Sequence, residues 1–294
     1  MKIISKIKYP NGKREVKLFG KKIFTYVNWK QYNLGYGIKE YNDMPAVHSL
    51  EKDIAKYPKI SIVYPVYYTH DNFEDLNSLL NRYDNCSSEI KKDFEIIIVD
   101  DCSPSPITLP KMDLNITLLR IEKDIPWNQS GARNLGACYA ISPKLILMDA
   151  EWFVPEKTIK ALINGKLTNN DIVPLRWAKD ENTIPQRTHP NIFCINKQAF
   201  FNYNCYDESW CGFYGEDLFF RRYLHALGIN IIITDYPIIP NAKNFITNDS
   251  HNLSRNLNKA KKKLAKNENL THKKKLINFP YKFICQYKFE QGNI

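Results

Sequence analysis

The chain has 294 residues, 44% of them hydrophobic and 13% aromatic, which is enough for one large α/β domain with appendages and too apolar for wholesale disorder. The formal charge of +11 averages over unlike parts: residues 1–57 carry 12 basic and 5 acidic side chains, residues 58–250 carry 19 and 24, and residues 251–294 carry 11 and 2. An acidic middle between basic flanks argues against a nucleic-acid enzyme, whose positive charge gathers at the cleft, and directs the flanks to an anionic membrane surface, an acidic partner or plain solvent.

In chain order, MKIISKIKYPNGKREVK lacks a long apolar stretch, so no signal peptide is predicted. Residues 1–30 predict a β-hairpin: KIISKIKY and EVKLFGKKIFTY alternate, and Asn11-Gly12 supplies the turn. Residues 31–57 are polar and irregular, a linker or wrap. The organised part begins at Lys59. ISIVYPVYY, broken by Pro65, predicts a buried strand, FEDLNSLLNRYDNC a helix, and FEIIIVDDCSP a second strand ending in Asp100 and Asp101. ITLLRIE predicts a third strand, SGARNLGACYAI a helix, and KLILMDAEW a fourth strand ending in Asp149 and Glu151. This alternation predicts an α/β, Rossmann-like domain with a mostly parallel sheet flanked by helices. Ligands in such sheets lie beyond the carboxyl ends of the strands, where Pro65, Asp100, Asp101, Asp149 and Glu151 all fall.

Further along, PEKTIKALINGKL predicts a short helix, while DIVPLRWA and NIFCINKQAFF read as strands. ESWCGFYGEDLFFRRYLHALG passes from a glycine-containing loop into a helix, and INIIITDYPIIP reads as another strand. Residues 250–275 predict a lysine-rich helical tail, and LINFPYKFICQYKF closes the sequence with aromatics. The domains expected are therefore 1–57, 58–255 and a basic, aromatic tail at 256–294. Seven cysteines, with no C-x-x-C pair, speak against a disulfide framework or zinc site and for a reducing compartment. No run of about 18 apolar residues occurs, so no membrane span is predicted. The expected location is the cytoplasm, peripheral to the inner face of the cell membrane.

Several residue types point to chemistry. Asp149-Ala150-Glu151 puts two carboxylates after an apolar run, where Mg²⁺ or Mn²⁺ with a diphosphate would offset their burial; a helix cap or salt bridge is the alternative. Asp100 and Asp101 can accept from a base N–H or ribose hydroxyl, or form an Asx turn with Ser103. Arg133 can present its donor fork to a nucleotide, or pair with Asp100 or Asp101. Asp217, after Glu216 at a helix start, can act as general base or as a cap. Trp210, Phe213 and Tyr214 can stack on a sugar or fill a core. His251 is a candidate metal ligand, weak when taken alone.

Taken as an ordered set, ISIVYPVYY, IIIVDDCS, GARNLG, LMDAEW and GFYGEDLFFRRYLHALG resemble the inverting glycosyltransferases of the GT-A fold, especially glycosyltransferase family 2. The second half resembles a galactosyltransferase-type C-terminal region. The resemblance covers residues 58–255. It implies that Pro65, Asp100, Asp101 and Arg133 bind the nucleotide of a UDP-sugar donor. It also implies that Asp149 and Glu151 take the place of the Asp-x-Asp metal motif, with His251 as a late ligand. Asp217 would then be the inverting base, and Glu216 and Trp210 would contact the acceptor or sugar. The chain departs from the pattern at Glu151 and Trp152, which puts metal geometry in question. A glycan or lipid-linked acceptor in surface polysaccharide assembly is implied, as is a membrane-surface role for Phe279, Tyr281, Phe283 and Tyr287 in the basic tail. The competing readings are a catalytically inactive glycan- or nucleotide-binding scaffold and a sugar nucleotidyltransferase, the latter disfavoured because YPVYYTHDN lacks a phosphate-loop glycine.

Overall fold

The computed structural model describes residues 58–211, 215–241, 277 and 279–289, together with the backbone of three strands near the N-terminus. Those strands, β1 (Ile4–Lys8), β2 (Lys13–Leu18) and β3 (Lys21–Val27), pair antiparallel in a sheet of their own. The expected hairpin is thus a three-stranded meander. The second alternating run folds as two strands, because its alternation breaks at Phe19-Gly20 and Leu18 pairs back onto Lys21.

Among the described residues the main sheet has ten strands. In chain order, β4 (Ile60–Val66), α1 (Glu74–Asp84), α2 (Ser88–Lys91), β5 (Phe94–Asp100), β6 (Ile116–Ile121), α3 (Gln129–Tyr139) and β7 (Lys144–Leu147) build one half. β8 (Trp152–Phe153), α4 (Glu156–Asn164), β9 (Asp171–Trp177), β10 (Arg187–Asn196), α5 (Lys197–Asn202), α6 (Glu216–Ala226), β11 (Asn230–Ile231), β12 (Pro237–Pro240) and β13 (Tyr281–Tyr287) complete it. The order across the sheet is β13-β6-β5-β4-β7-β10-β9-β12-β8, with β11 beside β9. β6, β5, β4 and β7 are mutually parallel, whereas β10 and β13 run against their neighbours.

Helices cover both faces, which is why β4 and β5 read as continuous apolar runs rather than alternations. Ile60, Ile62, Tyr64 and Val66 pack on the face that holds Leu76, Leu79, Leu80 and Tyr83 of α1. Val63, Ile97 and Val99 pack on the opposite face against Ala132 and Leu135 of α3. Gly136 lets α3 settle directly on the sheet: a Cβ there would overlap the Val63 Cγ1 methyl. Pro65 is tolerated inside β4 because pairing with β7 has already ended at Val63, whose carbonyl accepts from Met148 N at 3.0 Å. Tyr83 and Tyr64 share a hydrogen bond of 2.6 Å, and Tyr64 Oη donates to the Trp152 carbonyl. These two tyrosines fix the turn that follows β7.

Three sequence expectations change. NIFCINKQAFF is strand only to Asn196; KQAFFN is the helix α5. INIIITDYPIIP divides into β11 and β12. The tail is not wholly helical: residues 251–276 lie outside the described residues, and β13 pairs with the edge strand β6 from Tyr281↔Ile121 to Tyr287↔Ile116. Its aromatics are engaged in the fold. Phe279 is buried in the core beside α3 and Tyr281 packs on Tyr139, whereas Phe283 stacks on Tyr139 yet stays 43% exposed, with Ile284 beside it at 44%. Among the described residues no helix is long and apolar enough to cross a membrane.

Candidate active site

The carboxyl ends of β4, β5 and β7 bring together most of the residues singled out above. Asp100 ends β5 and is 1% exposed. It forms an ion pair with Arg120, its register partner on β6, and accepts from Ser103 N at 2.8 Å. Arg120 also donates to the Ser103 carbonyl at 2.7 Å. The turn is tight enough to hold Cys102 at a left-handed φ of 65°. Asp100 is therefore the Asx-turn residue of this corner and not a free nucleotide contact. Asp101 follows, its N–H donating to the Val66 carbonyl and its Oδ1 accepting from Asn128 Nδ2 at 2.8 Å. Burial pushes its carboxyl up to about 7, and the charge of Asp100 adds to the shift.

Arg133 projects from α3 and is fully buried. Its partner is Asp149, not Asp100 or Asp101. It also donates to the Met148 carbonyl at 3.2 Å and lies over the Tyr206 ring at 5.5 Å. It supports Asp149 from beneath, and its Nη1 has no hydrogen-bond partner among the described residues. Asp149 Oδ1 accepts a second hydrogen bond from Gln129 Nε2 at 2.8 Å. Asp149-Ala150-Glu151 forms a turn into β8, in which Trp152 N donates to the Asp149 carbonyl; it caps no helix. The Glu151 carboxyl is pushed up to about 7, first by burial and then by the charge of Asp149.

Gly215 adopts φ 110°, a conformation that favours glycine, and turns the chain into α6. Glu216 opens that helix. It is buried, accepts from Trp127 Nε1 at 2.9 Å and from Gly215 N at 3.0 Å, and its carboxyl rises to about 7 through burial and the neighbouring Asp217. Asp217 is half-buried in the same first turn. Its charge is felt by Arg133 and by His189, as is that of Asp149.

The sequence model of glycosyl transferase family 2 matches residues 61–227, more than half of the chain. The chain belongs to that family. No curated protein matches this glycosyltransferase in sequence. Among solved structures it is similar to the catalytic domain of Drosophila β1,4-galactosyltransferase 7 in complex with xylobiose. That likeness has 12% identity and a TM-score of 0.43 over 66% of this chain and 73% of that one. It is also similar to S. aureus TarS 1–349 in complex with UDP, at 18% identity and a TM-score of 0.43 over 60% of this chain and 58% of that one. The family assignment rests on the sequence match.

Other predicted site residues of this glycosyltransferase are placed differently. Trp210 is 1% exposed and stacks on Phe219 at 5.1 Å, so its ring fills the core and offers no platform to a sugar. Phe213, Tyr214 and His251 lie outside the described residues. Pro65 is buried at the end of β4, beside the corner that holds Asp101. Five contributors escaped sequence reasoning: Arg120, Trp127, Asn128, Gln129 and His189. Arg120 had a visible signal, since it is the one charge within the apolar run ITLLRI. His189 had none, because an antiparallel strand brings it in. β10 begins at the edge where β7 ends, and its Nδ1 comes within 3.9 Å of Asp149 Oδ2.

Proposed function

We propose that this glycosyltransferase moves a sugar from a UDP-sugar to a hydroxyl of a glycan or lipid-linked acceptor, with inversion at the anomeric carbon. The observation that carries the reading is Arg133, a buried guanidinium paired with Asp149 after β7 that also feels Glu216 and Asp217 at the start of α6. One cation thus links both acidic motifs at the sheet edge where ligands of parallel α/β sheets lie. In this reading Pro65 and Asp101 lie against the base and ribose. Asp217 takes the proton of the acceptor hydroxyl as its oxygen attacks the anomeric carbon, and the nucleoside diphosphate leaves from the opposite face. Glu216, held by Trp127, orients the acceptor side of the site.

Asp149 and Glu151 fit a divalent cation, Mn²⁺ or Mg²⁺. Asp149 Oδ2 takes no hydrogen bond among the described residues, and burial beside a second carboxyl raises Glu151, so the pair lacks a positive neighbour on its open side. Among the described residues no three His, Cys, Asp or Glu side chains gather as a complete metal cage. A cage is not required, because Mg²⁺-type sites use one or two carboxylates and leave other positions to substrate phosphates and water. His251 remains the proposed third protein ligand. When bound, the cation would neutralise charge on the diphosphate.

Calorimetry with UDP, with and without Mn²⁺, tests the donor and metal claims together. Binding that strengthens with metal is expected; no nucleotide binding under any metal would favour the inactive scaffold. Asp217→Asn tests the base. UDP-sugar binding should survive while turnover falls about 10²–10⁴-fold. Near-normal turnover would remove Asp217 from that role.

A further inference from the structure

His189 stands beside Asp149 on β10. Its side chain is 14% exposed, and its ring meets Trp152 edge to face at 5.3 Å. Trp152 in turn meets Trp177 at 6.3 Å, and Arg187 lies over the far ring at 5.0 Å. An aromatic wall therefore stands next to the Asp149 corner, with an imidazole set into it.

The hydrogen bonds decide which nitrogen carries the proton. Asn191 N donates to His189 Nδ1 at 3.2 Å, so Nδ1 offers a lone pair. The 3.9 Å separation from Asp149 Oδ2 is too long for a hydrogen bond and does not demand a proton on Nδ1. A neutral imidazole protonates one nitrogen only, so the hydrogen sits on Nε2. Among the described residues that N–H has no partner.

We infer that His189 recognises the donor sugar, its Nε2–H donating to a hydroxyl of the transferred hexose while Trp152 covers an apolar face of the ring. This rests on the nucleotide-sugar reading and deepens it. A hydroxyl is favoured over a diphosphate oxygen because the imidazole is neutral. An anion would be matched by a charged donor, and Arg187 is occupied with Trp177 on the other side. Sugars ask for this combination of an aromatic face and a few directed polar groups.

Two substitutions separate this from a packing role. A glutamine amide nitrogen falls near the position of Nε2, and an asparagine amide nitrogen near that of Nδ1. UDP affinity is read by calorimetry with Mn²⁺ on the full chain. Donor KM is read from UDP release with whichever of UDP-glucose, UDP-galactose and UDP-N-acetylglucosamine the wild type turns over fastest. His189→Asn should raise donor KM about tenfold and leave UDP affinity unchanged. His189→Gln should stay within about threefold of wild type on both. Equal losses for UDP and the UDP-sugar, or equal behaviour of the two variants at matched melting temperatures, would overturn the inference. A wild type that binds no UDP would instead remove the nucleotide-sugar reading on which it rests.

Discussion

Glu216 has almost no water around it, and its two hydrogen bonds come from Trp127 and Gly215. Burial holds its carboxyl at about 7, as it does that of Asp101. In the unfolded chain both would titrate near 4. An acid raised by folding binds its proton more tightly in the native state. Its contribution is therefore complete below about 4 and is lost as pH rises through about 7. Stability should fall between pH 5 and pH 8, by on the order of 2 kcal/mol for one such group. Urea unfolding at several pH values measures this, and Glu216→Gln should flatten the slope; an unchanged slope would clear Glu216 of the effect. Arg133 behaves oppositely, because its charge must stay. Arg133→Met would strand Asp149 and the Met148 carbonyl, at a cost of about 3–5 kcal/mol in the same measurement. Asp100, Asp101, Asp149 and Glu151 were legible because they close apolar runs, and Glu216 and Asp217 because they open a helix after a glycine. Their partners were not. Arg133 had Asp100 or Asp101 in prospect and Arg120 had no partner in view, but strand register gives Asp100 to Arg120, and the reach of α3 gives Asp149 to Arg133.

Elements carry the geometry that these residues use. α3 supplies Gln129 and Arg133, with Asn128 just before its first turn, so its depth on the sheet sets the whole corner. That depth is fixed where Gly136 meets Val63. Gly136→Ala should destabilise by about 1–3 kcal/mol through overpacking. Adding Val63→Ala should cost less than it does in the wild type, because it removes the methyl that is struck. A double-mutant cycle by thermal unfolding gives the coupling, and simple additivity would refute the contact. Long patterns such as β4, α1, β5 and α3 could be read directly, since period and length agree. The boundary at Asn196 could not, because Ile192 to Ile195 and Ala199 to Phe201 are both apolar and too short for their period to tell strand from helix. The split between β11 and β12 is of the same kind: one apolar run is divided by where β9 accepts pairing.

At the scale of the molecule, β13 is what the sequence reading least expected. It covers the edge of β6, and the residues before it reach the site: Ile277 N donates to Glu208 Oε1 at 2.8 Å, and Phe279 lies against Gly131, next to the Asn128 that holds Asp101. A chain truncated after residue 276 should lose about 1.5–3 kcal/mol for each of Ile277 and Phe279 and expose an open strand edge. Calorimetric melting and light scattering should show a lower transition and self-association; an unchanged transition would mean that the edge needs no cover. The same pairing sets a schedule for synthesis. Ile121 waits for Tyr281, so about 160 residues must be polymerised after β6 before its outer neighbour exists. At roughly 5–20 residues per second the nascent chain carries a bare edge for about 8–32 s. During that interval it is a client for whatever shields unpaired strands, and Phe279 cannot come against Gly131 until that segment is made.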